Sequence, residues 1–232
     1  MTGRRGSPAK PFDVRLRPMN TSSPLSSSAF MPSVARAVGR ARRSILTIAG
    51  TYAGSILIGI VMVHAGNTFA LKYGDHLVNQ AQQQDPAAVA ASRGNNLQAA
   101  WRDFGGNLVL GAVPKTISGF AIVFPYPFVV YQGWVGGIVS VRRDHTSRLN
   151  NPRSAVYYLL TLLLQVIPYS LAVGAGVNGG VALFRPAPCY QGEKWLGLWP
   201  KEVLRDVARI YALAIPLFLV ASLWEFLSPW NV

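Results

Sequence analysis

The sequence predicts an all-α protein, a polytopic transmembrane helical bundle with about five spans. Half of the 232 residues are hydrophobic and only 13% are charged, against about 25% in a typical soluble domain. Stretches without a formal charge recur along the chain, and several exceed the roughly 18 apolar residues that mark a candidate spanning helix. These observations favour a chain that lies largely in lipid.

A basic segment, residues 1–43, comes first. It is rich in Ser, Pro and Arg, and nine of the 22 basic residues fall there against one acid, Asp13. This composition predicts a disordered cytoplasmic tail, although it also suits an organellar targeting peptide. As a tail, it is predicted to bind anionic lipid at the membrane surface through four arginines, Arg36, Arg40, Arg42 and Arg43.

The first span is predicted over residues 44–71, which carry no formal charge. Such a helix would be about 42 Å long, which exceeds the roughly 30 Å hydrocarbon core, so it crosses with tilt or with one end emerging. Gly50 and Gly54 form a GxxxG pair, which predicts close helix packing. The polar residues 72–103 are predicted to hold a short helix that begins at Pro86 and an interfacial helix that carries Trp101.

Residues 104–141 are apolar apart from Lys115, and this stretch is too long for one span. It is interrupted by Pro125-Tyr126-Pro127, and paired prolines break a helix. Two spans are therefore predicted, over 104–124 and 128–141. The second is short for a bilayer, so a re-entrant segment is the alternative.

The last two spans are predicted over 154–184 and 210–227. The first of these is uncharged and contains Pro168 and four glycines, so it is predicted to kink and to end loosely. A basic loop over 185–209 connects the two spans. Within it, an amphipathic helix that begins near Pro200 is predicted to lie on the lipid surface and to run into the last span.

The distribution of basic residues predicts the orientation of the bundle. The tail and the loop over 185–209 carry more basic residues than the opposite segments, which places the N-terminus in the cytoplasm of a bacterial inner membrane. An organellar inner membrane is the alternative. One cluster on the opposite side conflicts with this orientation: Arg142, Arg143, Arg148 and Arg153. This cluster would lie inside if residues 104–141 crossed only once, with 128–141 re-entrant.

Lys115 is the most informative polar residue within the apolar stretches. A Lys near the centre of a span costs about 2.5–3.5 kcal/mol to insert, so it is usually paired or functional. We expect Glu225 or Asp103 as its partner, with snorkelling to the interface as the alternative. Asn107 and Gln165 are predicted to hydrogen-bond between helices.

The sequence contains no enzyme motif such as Gly-x-Ser-x-Gly, His-Glu-x-x-His or a P-loop. The single Cys189 and three well-separated histidines do not form a metal-ligand pattern. No catalytic residue, cofactor or metal is therefore predicted. The net charge of +13 is concentrated near the N-terminus, and without a recognition motif it does not indicate nucleic-acid binding. Membrane lipids and other membrane proteins are the predicted partners, and no specific small molecule is assigned.

Glycine, proline and polar positions over about 45–230 resemble those of the stage II sporulation protein M family. Four segments carry the resemblance: Phe104-Gly-Gly-Asn107, Gln132-Gly133-x-x-Gly136-Gly137, Ile167-Pro168 with its following glycines, and Leu223-Trp-Glu225-Phe226-Leu-Ser228-Pro229. The family's Pro-His-Gly and the glutamate before its fourth-span proline are absent, and Glu225 lies one position from the family's closing glutamate. The resemblance implies a polytopic component of multiprotein membrane assemblies with no catalysis of its own.

Two functional hypotheses follow. The first is a non-enzymatic membrane subunit or scaffold that packs its glycine-rich helices against partner proteins. The alternative is a small transporter or permease subunit in which Lys115 and Glu225 line a hydrated path between broken helices.

Overall fold

The computed structural model describes residues 27–142 and 144–230, and the predicted all-α class is confirmed. Three helices are long and apolar enough to cross a membrane, over Met31–His64, Pro152–Phe184 and Lys201–Leu227. The helices are α1 Ser27–His64, α2 Thr68–Gln84, α3 Pro86–Ser92, α4 Asn96–Gly105, α5 Val113–Gly119, α6 Pro125–Ile138, α7 Pro152–Phe184 and α8 Lys201–Leu227, and a two-stranded hairpin pairs β1 Lys194–Trp195 with β2 Trp199–Pro200.

Helix α1 differs from the prediction at both ends. It begins at Ser27, so the prediction of disorder was wrong for residues 27–43, while the rest of the tail lies outside the described residues. The helix ends at His64, seven residues before the predicted boundary, because Gly66 adopts a left-handed φ of 74° that favours glycine. Asn67 then caps α2 by accepting a hydrogen bond from the Ala70 amide, as N-cap residues do.

Most of the segment predicted as the second span belongs to one continuous helical run, in which the hydrogen-bonding pattern changes from α to π and back to α. Helix α4 passes into a π-helical segment, Gly106–Ala112, which leads directly into α5. A short turn follows, and α6 begins with Pro125 in its first turn, where the missing proline N–H costs no helical hydrogen bond. The break therefore lies just before the paired prolines, and both prolines belong to the first turn of α6.

Helix α7 is continuous from Pro152 to Phe184, although Pro168 was predicted to kink it and the glycines to loosen its end. Most of its second half is buried, because glycines there let other backbones approach. A Cβ at Gly174 would lie 2.7 Å from Ile45 of α1, and one at Gly176 would meet Thr116 of α5.

Helix α8 begins directly after β2, and it includes both the segment that was predicted as an amphipathic helix and the last predicted span. Its first turns are polar, and Asp206 there is buried. A core of nearly fully buried side chains joins α8 to α1, α6 and α7; it includes Ile48, Tyr52, Val129, Val173, Ile210 and Phe218.

Contacts between residues fix the relative direction of the helices. Helices α1 and α6 run parallel, because Gly133 lies beside Tyr52 whereas Gly137 lies beside Gly59 further along α1. Helix α7 runs against α8, because Thr161 bonds to Trp224 whereas Tyr169 contacts Phe218, earlier in α8, edge to face. The run from α4 to α5 is parallel to α7. Helix α1 runs against α7, because Ile45 meets Gly174 whereas Tyr52 contacts Tyr169, earlier in α7. The five segments α1, α4 to α5, α6, α7 and α8 therefore alternate in direction.

Candidate functional site

A polar cluster forms where four helices meet around Lys115. The Lys115 ammonium donates a hydrogen bond to the Oε1 atom of Gln132 on α6. The Tyr52 hydroxyl of α1 donates to the same oxygen at 3.0 Å. The Lys115 Nζ atom also lies 4.5 Å from the centre of the Tyr169 ring on α7, a distance at which a ring face attracts a cation.

The expected ion pair between Lys115 and either Glu225 or Asp103 was wrong. No carboxylate among the described residues forms an ion pair with Lys115. A neutral amide and an aromatic face solvate this buried ammonium instead. Gln132 was not among the predicted polar residues, although an amide in an otherwise apolar stretch is a signal that can be read from sequence.

Asn107 connects this cluster to the start of α4. Its side-chain oxygen accepts a hydrogen bond from the Tyr169 hydroxyl at 2.8 Å, and its amide donates to Asp103 at 2.9 Å. The Ser222 hydroxyl of α8 also donates to Asp103, at 2.6 Å. Asn107 thus bonds to a residue of another helix. It lies within the π-helical segment, and such segments occur frequently at functional sites.

Glu225 is held by the other predicted amide. The Gln165 side-chain amide of α7 donates to the Glu225 carboxylate of α8 at 2.6 Å. Gln165 therefore bonds between α7 and α8. Lys115 and Glu225 do not touch, but their partners Gln132 and Gln165 line one cavity of about 460 Å³ between α6 and α7.

This cavity, which we call the α6–α7 cavity, exists because the two helices that bound it make little backbone contact with each other. Helix α6 packs mainly on α1, and α7 packs mainly on α8 and α1. Glu225 lies on its α8 side, and Arg148 lies at the end where α6 finishes and α7 begins. Arg148 was predicted only as one of the arginines that decide orientation.

A charged network occupies the opposite end of the bundle. The Arg40 guanidinium of α1 binds the buried Asp206 carboxylate with two nitrogens, one of them at 2.6 Å. Arg209 and the Tyr190 hydroxyl each donate to Asp206 at 2.9 Å. Burial raises the pKa of Tyr190 to about 12, so its hydroxyl stays protonated and can donate. Glu202 accepts from Arg209 at the edge of the network.

The arginines that were predicted to bind lipid therefore differ in their surroundings. Arg40 is committed to Asp206, which leaves it less able to pair with a phosphate. Arg36, Arg42 and Arg43 are exposed on α1, and lipid binding by these three stays a prediction.

The predicted glycine pair does not mediate packing within the chain. Among the described residues, no atom lies within 4 Å of a Cβ built on Gly50 or Gly54. Gly59 is the α1 glycine that packs, because a Cβ there would lie 2.9 Å from the Cα of Gly137. The small-residue surface around Gly50 and Gly54 faces outward, and we call it the open α1 face.

Comparison of the chain with protein-family models, with curated proteins and with solved structures gave no match.

Proposed function

We propose that the chain is a non-enzymatic, multi-pass subunit or scaffold of a membrane complex, as its resemblance to the stage II sporulation protein M family implies. The open α1 face carries this proposal. Gly50 and Gly54 expose backbone in the middle of the most apolar part of α1. Small residues at such positions favour helix association in lipid because they allow close van der Waals contact.

We further propose that the chain crosses the membrane five times. The alternating directions of α1, the run from α4 to α5, α6, α7 and α8 support five crossings. Helix α6 has 14 residues and would be about 21 Å long, which is short for a hydrocarbon core of roughly 30 Å. The turn before it and the loop after it would complete this crossing.

The proposed location is a bacterial inner membrane with the N-terminus in the cytoplasm, and Cys189 provides a test of the orientation. It is the single cysteine of the chain and is exposed between α7 and β1. In intact cells, a membrane-impermeant maleimide should label it only after permeabilisation. In a Cys189→Ser background, Asn150→Cys in the loop before α7 should be labelled without permeabilisation. The reverse pattern would contradict the orientation, and labelling of both sites on one side would contradict five spans.

Partner docking is tested by filling the open α1 face. The double substitution Gly50→Leu and Gly54→Leu should abolish co-purification of the membrane proteins that accompany the wild-type chain in mild detergent, as measured by quantitative mass spectrometry. Ala212→Leu is the matched control, because Ala212 is an exposed small residue on α8. Equal recovery of partners with both variants, or a wild-type chain that purifies alone, would contradict the proposal.

A transporter or permease subunit is the second candidate, because the α6–α7 cavity places Gln132, Gln165 and Glu225 around one space inside the bundle. Intramembrane polar residues that line a cavity are typical of transport pathways. Lys115→Leu separates the two functions. In a subunit it should weaken assembly modestly, whereas in a transporter it should abolish flux into liposomes while the chain stays folded.

A further inference from the structure

Arg148 is held in place by the backbone of its own loop. Its amide donates to the Ser140 carbonyl at 2.8 Å, and Ser140 is fully buried. The same loop is closed by a bridge between Val141 and Ser147. The start of the Arg148 side chain is therefore fixed at the mouth of the α6–α7 cavity, which the residue lines.

Among the described residues, the Arg148 guanidinium has no counter-ion. Its Nε atom is buried without a hydrogen-bond partner, and no carboxylate among the described residues forms an ion pair with it. Two other described arginines of this region have partners, since Arg142 donates to the Ser154 hydroxyl at 3.1 Å and Arg153 to the Pro229 carbonyl. Burial lowers the pKa of Arg148, but a guanidinium stays charged in proteins. The cost of removing this charge from water is therefore not offset by a negative group among the described residues.

The Arg148 Nε atom forms no hydrogen bond with the neighbouring hydroxyls or with Glu225. The Tyr157 and Tyr158 hydroxyls donate to the backbone carbonyls of Glu225 and Gly136, each at 2.7 Å. The Glu225 carboxylate accepts from Gln165 on the α8 side.

Two acids line the adjoining cavity of about 410 Å³, which Arg148 also borders. Asp144 accepts hydrogen bonds from the Thr146 amide and hydroxyl. Asp75 is bonded to His145 at 3.1 Å. Both carboxylates bond to residues of the loop, and neither forms an ion pair with Arg148.

We propose that the α6–α7 cavity binds the phosphate of a phospholipid headgroup, with Arg148 as the phosphate-binding residue. A guanidinium forms paired hydrogen bonds with phosphate oxygens, and an anion at this point offsets the desolvated charge. The apolar side chains that line the same cavity, Val135, Val139, Leu162 and Phe226, provide a surface for an acyl chain. The site lies near the end of α8, where the Trp224 ring stacks on that of Tyr157, which lines the cavity. Trp230 packs on Trp224, and such rings are enriched at headgroup level.

The test measures lipid binding by the full chain, purified and delipidated in detergent. Dioctanoyl phosphatidylglycerol is titrated against the wild type and against Arg148→Gln. The substitution should weaken binding about ten- to hundredfold, which is the range for loss of a charge-assisted hydrogen bond. Arg153→Gln removes the same charge from the same region and should change the affinity by less than about twofold. Equal affinities for the wild type and both variants would overturn the proposal.

Further probes identify the source of the phosphate. Dioctanoylglycerol has the same acyl chains but no phosphate. Its affinity for the wild type should equal its affinity for the Arg148→Gln variant. Inorganic phosphate should fail to displace the phospholipid at concentrations about a hundredfold higher. Displacement by equimolar inorganic phosphate would overturn the assignment to lipid and leave a free anion as the ligand.

A second pair of variants keeps the test decisive if Arg148→Gln does not fold. Leu162→Trp would fill the cavity without changing a charge, and it should abolish binding of the phospholipid. Leu163→Trp is its control, because Leu163 is 53% exposed on the outer surface of α7. Binding that survives Leu162→Trp unchanged would exclude the cavity as the lipid site.

Discussion

Substitution of Asp206 by alanine tests whether the charged network holds α1 against α8. The Asp206 side chain is only 3% exposed, so solvent screens its interactions little. Its oxygens accept hydrogen bonds from Arg40, Arg209 and Tyr190. Removing the carboxylate leaves two guanidinium groups and a phenol without their shared acceptor.

Loss of one partner from a buried ion pair costs about 3–5 kcal/mol. The lower end applies to Asp206→Ala, because Arg40 and Arg209 keep Glu202 as a second acceptor at 3.5 and 2.5 Å. For a chain of this size, each kcal/mol lowers the melting temperature by about 2–4 °C. We therefore expect Asp206→Ala to melt about 6–12 °C below the wild type.

The assay is thermal denaturation in mild detergent, followed by the size-exclusion profile of the remaining folded protein. Glu202→Ala is the matched control, since its side chain is 30% exposed and exposed ion pairs contribute about 1 kcal/mol or less. A melting temperature for Asp206→Ala within about 2 °C of the wild type, or no lower than that of Glu202→Ala, would refute the reasoning.

Two further predictions concern the packing of α6. Gly137→Ala should destabilise the chain by about 1–3 kcal/mol in thermal melts, because the new Cβ would lie 2.9 Å from a backbone Cα of α1. The control Gly39→Ala should not destabilise the chain, because no described atom lies within 4 Å of a Cβ at that position. Gln132→Leu should cost about 1.5–3 kcal/mol, because it removes the acceptor of a charged donor. Adding Lys115→Leu to Gln132→Leu should restore stability, and melts in which the two losses simply add would disprove their coupling.

The long apolar stretches made most of the helices predictable, because a backbone in hydrocarbon must satisfy its hydrogen bonds internally. The break before α6 was predictable for a local reason as well, since paired prolines cannot continue a helix. Helix α2 was missed because its sequence is polar and its cap at Asn67 lies inside a stretch that reads as one apolar span. Asn67 acts as a cap only because the chain turns at Gly66, and the apolar pattern does not indicate that turn.

The polar contacts were less predictable because they depend on tertiary structure. Lys115 was identified from its cost in lipid, but its acceptor Gln132 lies on a different helix whose rotation no local pattern specifies. The helical conformation of residues 27–43 depends on a similar contact, because Arg40 meets Asp206 across 166 residues of sequence. A composition rich in Ser, Pro and Arg indicates disorder only when no such partner is present.

The parallel pairing of α1 and α6 has a consequence for biosynthesis. Helix α1 leaves the ribosome first, yet Tyr52 contacts a residue 80 positions later and Arg40 one 166 positions later. At about 5–20 residues per second, roughly ten to thirty seconds separate synthesis of Arg40 from that of Asp206. Until α6 is synthesised, the side of α1 around Tyr52 and Gly59 lacks the helix that packs against it in the folded chain. During that time, this surface of α1 avoids association with other helices only if the proteins that insert the chain cover it.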